Sequence, residues 1–476
     1  MDYKNLIAGS WEATTEARPN VNPSDTGDIL GQAALGGTAD MDRAISSAKA
    51  AAPGWAGATP QARFDVLDFI GSEILARKAE LGQLLSREEG KTLPEGIGEA
   101  ARAGQIFKFF AGECLRQTGD RLASVRPGVE VDVTRAPVGV VGLITPWNFP
   151  IAIPAWKIAP ALAYGNAVVL KPAELTPGCA WALAEIISRS GLPEGVFNLI
   201  FGQGSVVGQH LVEHSDVDAI SFTGSVPTGR GIAVSCAQSM KKVQLEMGGK
   251  NPMVVLDDAD LDLAVEACLN GAFYSTGQRC TASSRLIVTE GVHDRFVAVL
   301  TAAMQGLRVG NALESGIQMG PVVDGHQLDQ NLSYLQVAAQ EGGKVIGGER
   351  LSLEQEGFYM APALVTETSN EMRINQEEVF GPVASVLRAR DYEEALSLAN
   401  DSDFGLSAGI CTTSLKRASH FKANAEAGMV MVNLPTAGVD YHVPFGGTKG
   451  SSYGAREQGS YAAEFYTRVK TAYTLP

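Results

Sequence analysis

The sequence predicts an α/β protein with two parallel-sheet units and a small β ribbon attached. Short, β-branched apolar runs alternate with helical stretches between residues 138 and 246, and again between 251 and 433. Such alternation builds right-handed strand–helix–strand units whose sheet is covered on both faces. The third observation is length: 476 residues exceed what one ordinary core organises, so two or three domains are expected.

Taken in order, residues 40–123 read as helical. Asp40 offers an acidic start, and apolar residues recur at three- and four-residue spacing through 40–51, 60–78, 78–87 and 95–115. Residues 121–135 then alternate (Val125, Val129, Val131, Val133) around Pro127 and Gly128, a hairpin signal. A two-stranded ribbon buries little alone, so it is expected to pack on another subunit. Strands follow at 138–144, 166–171, 196–200, 217–222 and 242–246, separated by helices at 155–163, 177–190, 205–213 and 228–239. This first unit reads as a Rossmann-type cofactor domain. The second has strands at 285–289, 383–387, 407–411 and 428–433, with helices at 293–307, 327–341 and 392–400. Residues 466–473 alternate like an edge strand without a local partner, and are expected to pair across a subunit boundary. The expected division is 1–118 with 138–248 for the cofactor domain and 249–450 for the second α/β domain. Residues 119–137 and 451–476 are left for oligomerisation, in a homodimer or homotetramer.

Composition narrows the function. The chain is 45% hydrophobic and 19% charged, as globular proteins are. A net charge of −15 repels nucleic acid and anionic membranes but leaves small anionic substrates open. Cys114, Cys179, Cys236, Cys268, Cys280 and Cys411 form no C-x-x-C pair, so neither a disulfide framework nor a metal site is expected. The amino terminus lacks the basic-then-apolar pattern of a signal peptide. No apolar run approaches the ~20 residues that span a bilayer. A soluble cytoplasmic protein is expected.

One stretch stands out for chemistry. Cys280 lies in Tyr-Ser-Thr-Gly-Gln-Arg-Cys-Thr-Ala-Ser (274–283), beside the cation of Arg279 and among small hydroxyl residues. Positive charge and partial exposure favour a thiolate, although most single cysteines are packing residues. Ligands of parallel sheets bind at the carboxyl ends of strands. Asn148, Lys171, the glycines of 202–208, Gly224 with Ser225, and Glu246 all fall there. Asn148, fixed between Pro146 and Pro150, can donate to an oxyanion or satisfy its own loop. Lys171 and Glu174 suit a ribose edge, or form an exposed ion pair of little worth. Glu246 can activate water or pair with Lys250. Gly202-Gln-Gly-Ser-Val-Val-Gly208 follows a strand and opens a helix, but its spacing is one residue off the dinucleotide fingerprint.

In order, Pro146-Trp-Asn-Phe-Pro150, Lys171-Pro-Ala-Glu174, Phe222-Thr-Gly-Ser225, Leu245-Glu-Met-Gly-Gly-Lys250, Gly277-Gln-Arg-Cys280, Glu378-Val-Phe-Gly-Pro382 and Pro444-Phe-Gly-Gly447 resemble the motif set of the NAD(P)-dependent aldehyde dehydrogenase superfamily. The resemblance covers nearly the whole chain. It implies an aldehyde-dehydrogenase-like fold and a catalytic trio: Cys280 as nucleophile, Asn148 with the Cys280 N–H as oxyanion donors, and Glu246 as base for the water that releases the acid. It further implies Lys171, Glu174, Gly208, Gly224, Ser225, Glu378, Phe380 and Trp147 as cofactor contacts. Glu174 favours NAD over NADP, because a carboxylate repels a 2′-phosphate. The pocket positions it implies are Phe149, Ile153, Trp156, Tyr274, Arg279, Thr281, the loop 436–439 including Val439, and Phe445.

Residues 148–157 and 433–459 are similar to those of bacterial family members that oxidise α-ketoglutaric semialdehyde. The implied substrate is therefore an aldehyde ending in a carboxylate, with Arg279 as its candidate cation or, alternatively, the partner of an acid. Succinic or glutaric semialdehyde, a broad aldehyde range, a CoA-acylating enzyme and an inactive relative are the competing readings. Intact Glu246 argues against acyl transfer to a thiol, and the intact trio argues against inactivity.

Overall fold

The computed structural model describes residues 2–476. Its first sheet has eight strands in the order Ser452–Tyr453, Lys242–Glu246, Ala219–Thr223, Val140–Ile144, Ala167–Lys171, Phe197–Leu199, Asn5–Ile7 and Ser10–Glu12. The five central strands are parallel. Through these five strands the chain starts at Val140–Ile144 in the middle, winds outward one way, then returns and winds outward the other way. That reversal opens a crevice at the carboxyl ends of the strands. Register brings the ends level: Ile144 pairs with Lys171 and Phe222, and Thr223 with Glu246. The polar residues singled out from the sequence therefore meet along one sheet edge.

Alternation explains why these strands are apolar throughout. Val141, Leu143, Val168 and Leu170 pack under helices Pro60–Ala76, Leu93–Arg116, Ala152–Ala163 and Pro177–Ser188. Val140, Ala167 and Val169 face the opposite layer, against Thr38–Ala56 and Val226–Gln238. Both faces are buried, so no polar face is left to show a period of two.

The second sheet has seven strands: Lys344–Gly347, Ala363–Thr368, Val383–Ala389, Ser283–Thr289, Asn251–Val255, Ser407–Cys411 and Met429–Val432. Only Lys344–Gly347 runs antiparallel to its neighbour. Leu261–Phe273 and Glu290–Gln305 cover one face; Tyr392–Asn400 and Leu415–Asn424 cover the other.

Three features depart from the sequence reading. The segment 2–34 holds five short strands, where no regular pattern was visible. Residues 451–476 are shared between structures: Ser452–Tyr453 extends the first sheet beside Leu245 and Glu246. The terminal strand Thr467–Thr474 also has a partner in its own chain. It pairs antiparallel with Glu130–Pro137, from Thr467 opposite Pro137 to Thr474 opposite Glu130. This corrects the expectation that it lacks one. Asp120–Ala123 completes a three-stranded sheet whose Leu122, Val469 and Tyr473 are exposed. Among the described residues no helix is long and apolar enough to cross a membrane.

Candidate active site

Cys280 is placed by a strained turn. Helix Leu261–Phe273 ends in Tyr274–Gly277, where Ser275, Thr276 and Gly277 take φ values of 51°, 56° and 64°. Non-glycine residues in the left-handed region persist only where surroundings over-determine them, and here they do. Glu95, from the first turn of helix Leu93–Arg116, accepts from the Ser275 N–H at 2.8 Å and its hydroxyl at 2.9 Å. On the other side of the thiol, Asn251 Nδ2 donates to the carbonyls of Cys280 (2.8 Å) and Ala282 (2.9 Å). The loop that carries the nucleophile is thus clamped between Glu95 and Asn251, while Cys280 itself is only partly buried.

The electrostatics correct one expectation. Arg279 does not activate the thiol; its guanidinium turns to Glu95 at 3.1 Å. Burial, reinforced by the carboxyls of Glu378, Glu246 and Glu457, pushes the Cys280 thiol up to about 12. At rest the sulfur is protonated, and attack requires a group to take that proton or a cation to arrive.

Asn148 leaves the carboxyl end of Val140–Ile144 and aims its amide at the cysteine loop, donating to the Gln278 carbonyl at 3.0 Å. Its own carbonyl accepts from buried Lys91 at 2.7 Å. Glu246 ends Lys242–Glu246, two strands along the same sheet edge, and is almost fully buried. Its Oε2 accepts from Ser452 Oγ at 2.5 Å. Burial and nearby Glu457 raise its proton affinity well above that of an ordinary carboxyl. Glu457 is itself bonded to Lys157, which also donates to Ser221 at 2.7 Å. The Ser452, Glu457 and Lys157 arrangement behind Glu246 was missed from sequence, since its members lie up to 300 residues apart.

Two cavities meet at Cys280, which lines both. The larger, about 630 Å³, runs along the strand ends of the first sheet. Trp147, Asn148, Gly224, Ser225, Glu378 and Phe380, all singled out by the motifs, line it. Helix Val226–Gln238 opens into it at Ser225 with Pro227 in its first turn, presenting free N–H groups suited to a phosphate. Glu378 accepts from the Gly249 N–H at 2.8 Å and is pushed up to about 7 by burial. A Cβ at Gly248 would meet the Glu378 carboxylate, so a larger residue there would displace that carboxylate from its place. Phe380, at φ 61°, stands edge-on to Trp147 with ring centroids 5.4 Å apart. Arg230 also lines this groove and carried no sequence signal. Lys171 and Glu174 sit 3.7 Å apart at the adjacent strand end. Glu174 is further held by Arg18 at 2.8 Å and the Gly204 N–H at 3.0 Å. Gly208 is buried in a helical conformation with room for a Cβ, so nothing in the structure demands glycine there.

The smaller cavity, about 260 Å³, lies on the other side of the sulfur. Phe149, Trp156, Arg279, Thr281, Val439 and Phe445 line it. Ile153 faces the larger cavity instead, and Tyr274 packs against the second domain's core; these two are corrections. Trp156 and Phe445 stack at 5.4 Å. Lys91, Glu99 and Arg102, from the segment that opens and includes helix Leu93–Arg116, complete the wall.

A thiol shared by a dinucleotide-sized groove and an aromatic cavity, with an amide donor beside it, defines a cofactor-dependent oxidoreductase that works through a covalent sulfur adduct. Sequence comparison agrees: residues 11–472 match the model described as "Aldehyde dehydrogenase family". The chain belongs to that family and is an NAD(P)-dependent aldehyde dehydrogenase. It is similar to an α-ketoglutaric semialdehyde dehydrogenase of Bacillus subtilis strain 168, 44% identical over 100% of this chain and 98% of that protein. An α-ketoglutarate semialdehyde dehydrogenase of Haloferax volcanii is 40% identical over 99% and 98%. Among solved structures, betaine aldehyde dehydrogenase from Staphylococcus aureus in complex with NAD+ superposes with a TM-score of 0.97 at 34% identity, covering 99% of this chain and 95% of that one.

Proposed function

We propose that this enzyme oxidises α-ketoglutaric semialdehyde to α-ketoglutarate, using NAD+. The observation that carries the reading is the position of Cys280 in the wall common to both cavities. The full-length likeness to semialdehyde dehydrogenases and the cations of the smaller cavity support the choice of aldehyde.

In this reading the aldehyde enters the smaller cavity and Cys280 Sγ adds to its carbonyl carbon. The oxygen gains a proton or is held as an oxyanion by the Asn148 amide and the Cys280 N–H, donors that cost no reorganisation when charge develops. Glu378, Gly224, Ser225, Trp147 and Phe380 hold the dinucleotide, with Lys171 and Glu174 at its adenosine ribose. When bound, the nicotinamide supplies the hydride acceptor that brings the carbon to the acid oxidation level. Glu246, hydrogen-bonded to Ser452 and backed by Glu457 and Lys157, takes the proton of the water that cleaves the carbon–sulfur bond. Its raised proton affinity suits a base working near neutral pH. The two-domain division and the oligomerising role of the three-stranded sheet belong to the same proposal. So do homo-oligomerisation and a cytoplasmic location.

The test is a kcat/KM comparison of α-ketoglutaric, succinic and glutaric semialdehydes with NAD+ and NADP+. The five-carbon keto acid is expected to lead by about tenfold or more, as one added or missing group in a pocket allows. A higher value for either of the others would reassign the substrate.

A further inference from the structure

Three cations border the smaller cavity, and their partners differ. Lys91 is bonded to Glu99 at 2.7 Å and lies over the Phe149 ring. Arg279 is paired with Glu95 and reaches toward Asn270 at 3.5 Å. Arg102 has no carboxylate within ion-pair distance among the described residues. Its Nη2 donates to the amide oxygen of Gln458 at 3.2 Å, and its Nε is sealed from water without any partner. The guanidinium lies over the Trp156 ring, 5.6 Å from its centroid.

We propose that Arg102 anchors the distal carboxylate of the substrate, so that this arginine and not Arg279 makes the enzyme selective for an aldehyde that ends in an acid. The inference rests on the reading that the aldehyde enters through this cavity. A cation in a poorly hydrated wall with an unpaired donor lacks compensation until an anion joins it. A guanidinium is the group best shaped to hold a carboxylate by two parallel bonds. The positioning is built in. Gln458 is fully buried, takes a left-handed φ of 59° and fixes one edge of the guanidinium, while Trp156 fixes its plane. Burial disfavours the Arg102 charge, and the carboxyls of Glu99 and Asp440, neither of them within ion-pair distance, offset that only in part. Arg279 is poorly suited because moving its charge to a ligand would leave Glu95 half-paired and loosen the turn that holds the nucleophile.

The experiment compares wild type, Arg102→Ala, Arg102→Lys and Arg279→Ala on α-ketoglutaric semialdehyde and on pentanal, an uncharged aldehyde of equal length. For Arg102→Ala the ratio of kcat/KM values, charged over uncharged, is expected to fall about 100-fold, mostly through KM, the size of a lost hydrogen bond to a charged group. Arg102→Lys is expected to restore part of that ratio. Arg279→Ala is expected to cost both aldehydes alike. A ratio that survives Arg102→Ala, or collapses only with Arg279→Ala, overturns the proposal. A second readout keeps this separate from the choice of physiological aldehyde: pentanoate as a competitive inhibitor of pentanal oxidation. Its inhibition constant is expected to rise at least tenfold in Arg102→Ala, whichever semialdehyde wild type prefers. An unchanged constant overturns the assignment even if α-ketoglutaric semialdehyde proves to be the substrate.

Discussion

The two cavities that meet at Cys280 recognise their contents by different means. One wall of the groove is made of first-sheet strand ends, glycine-bearing turns and a helix start, where backbone N–H groups and close approach dominate, and Tyr334, Glu378 and Phe380 close it from the other side. The smaller cavity is walled by aromatic rings and long charged side chains. Backbone surfaces tolerate sequence change and preserve one ligand, whereas side-chain surfaces change ligand with a single substitution. The contrast explains how a betaine aldehyde dehydrogenase can share this fold at a TM-score of 0.97 while the aldehyde cavity is free to differ.

Substitutions sort by the side of the sulfur they touch. Cys280→Ala breaks both sides at once, and turnover with every aldehyde is expected to fall about 10⁴-fold or more, as loss of a covalent nucleophile does. Asn148→Ala removes one oxyanion donor and is expected to cost about 10²–10³ in kcat for all aldehydes alike; a loss confined to one aldehyde would show the amide to be a specificity group. Glu246→Gln is expected to slow steady turnover about 100-fold while leaving a burst of NADH of near one equivalent, with an acyl group on Cys280 visible by intact mass. No burst would place Glu246 before the oxidation step. Glu174→Gln belongs to the groove alone: KM for NAD+ is expected to rise about fivefold, the value of one hydrogen bond, with NADP+ used relatively better and no change in preference among aldehydes.

The last readout follows the sulfur alone, through pH. Burial and three carboxyls hold the resting thiol protonated, and the thiolate is the reactive form. Below the thiol's pKa the reactive fraction grows about tenfold per pH unit. Alkylation of Cys280 by iodoacetamide in the cofactor-free enzyme is therefore expected to accelerate steadily from pH 6 to 9 without a plateau. A plateau near neutrality would mean that a cation does serve the sulfur.

Much of the site was legible because its chemistry sits at strand ends that local pattern reveals. Asn148 between prolines, Glu246 before two glycines and Cys280 among small residues each announced an unusual position, and parallel register assembled them. The strands were readable for the same reason, since burial on both faces leaves continuous apolar runs. The reading failed where a residue's role depends on a distant partner. Arg279 looked like the thiol's cation from adjacency alone, yet Glu95, 184 residues away, claims it. Tyr274 opens the cysteine stretch in sequence but packs against the core of the second sheet. The terminal strand looked unpaired because Glu130–Pro137 lies more than 300 residues upstream.

By itself, then, the sequence determined the class of fold, because local periodicity acts over a few residues, and its ordered motifs named Cys280, Asn148 and Glu246 as the candidate nucleophile, amide donor and base. Tertiary structure alone decided which charges are already neutralised: Arg279 by Glu95, Lys91 by Glu99 and Lys157 by Glu457, with no carboxylate within ion-pair distance of Arg102 among the described residues. Charge pairing works through space over a few ångströms, and a chain that folds back on itself hundreds of residues later leaves no trace of it in the order of its amino acids.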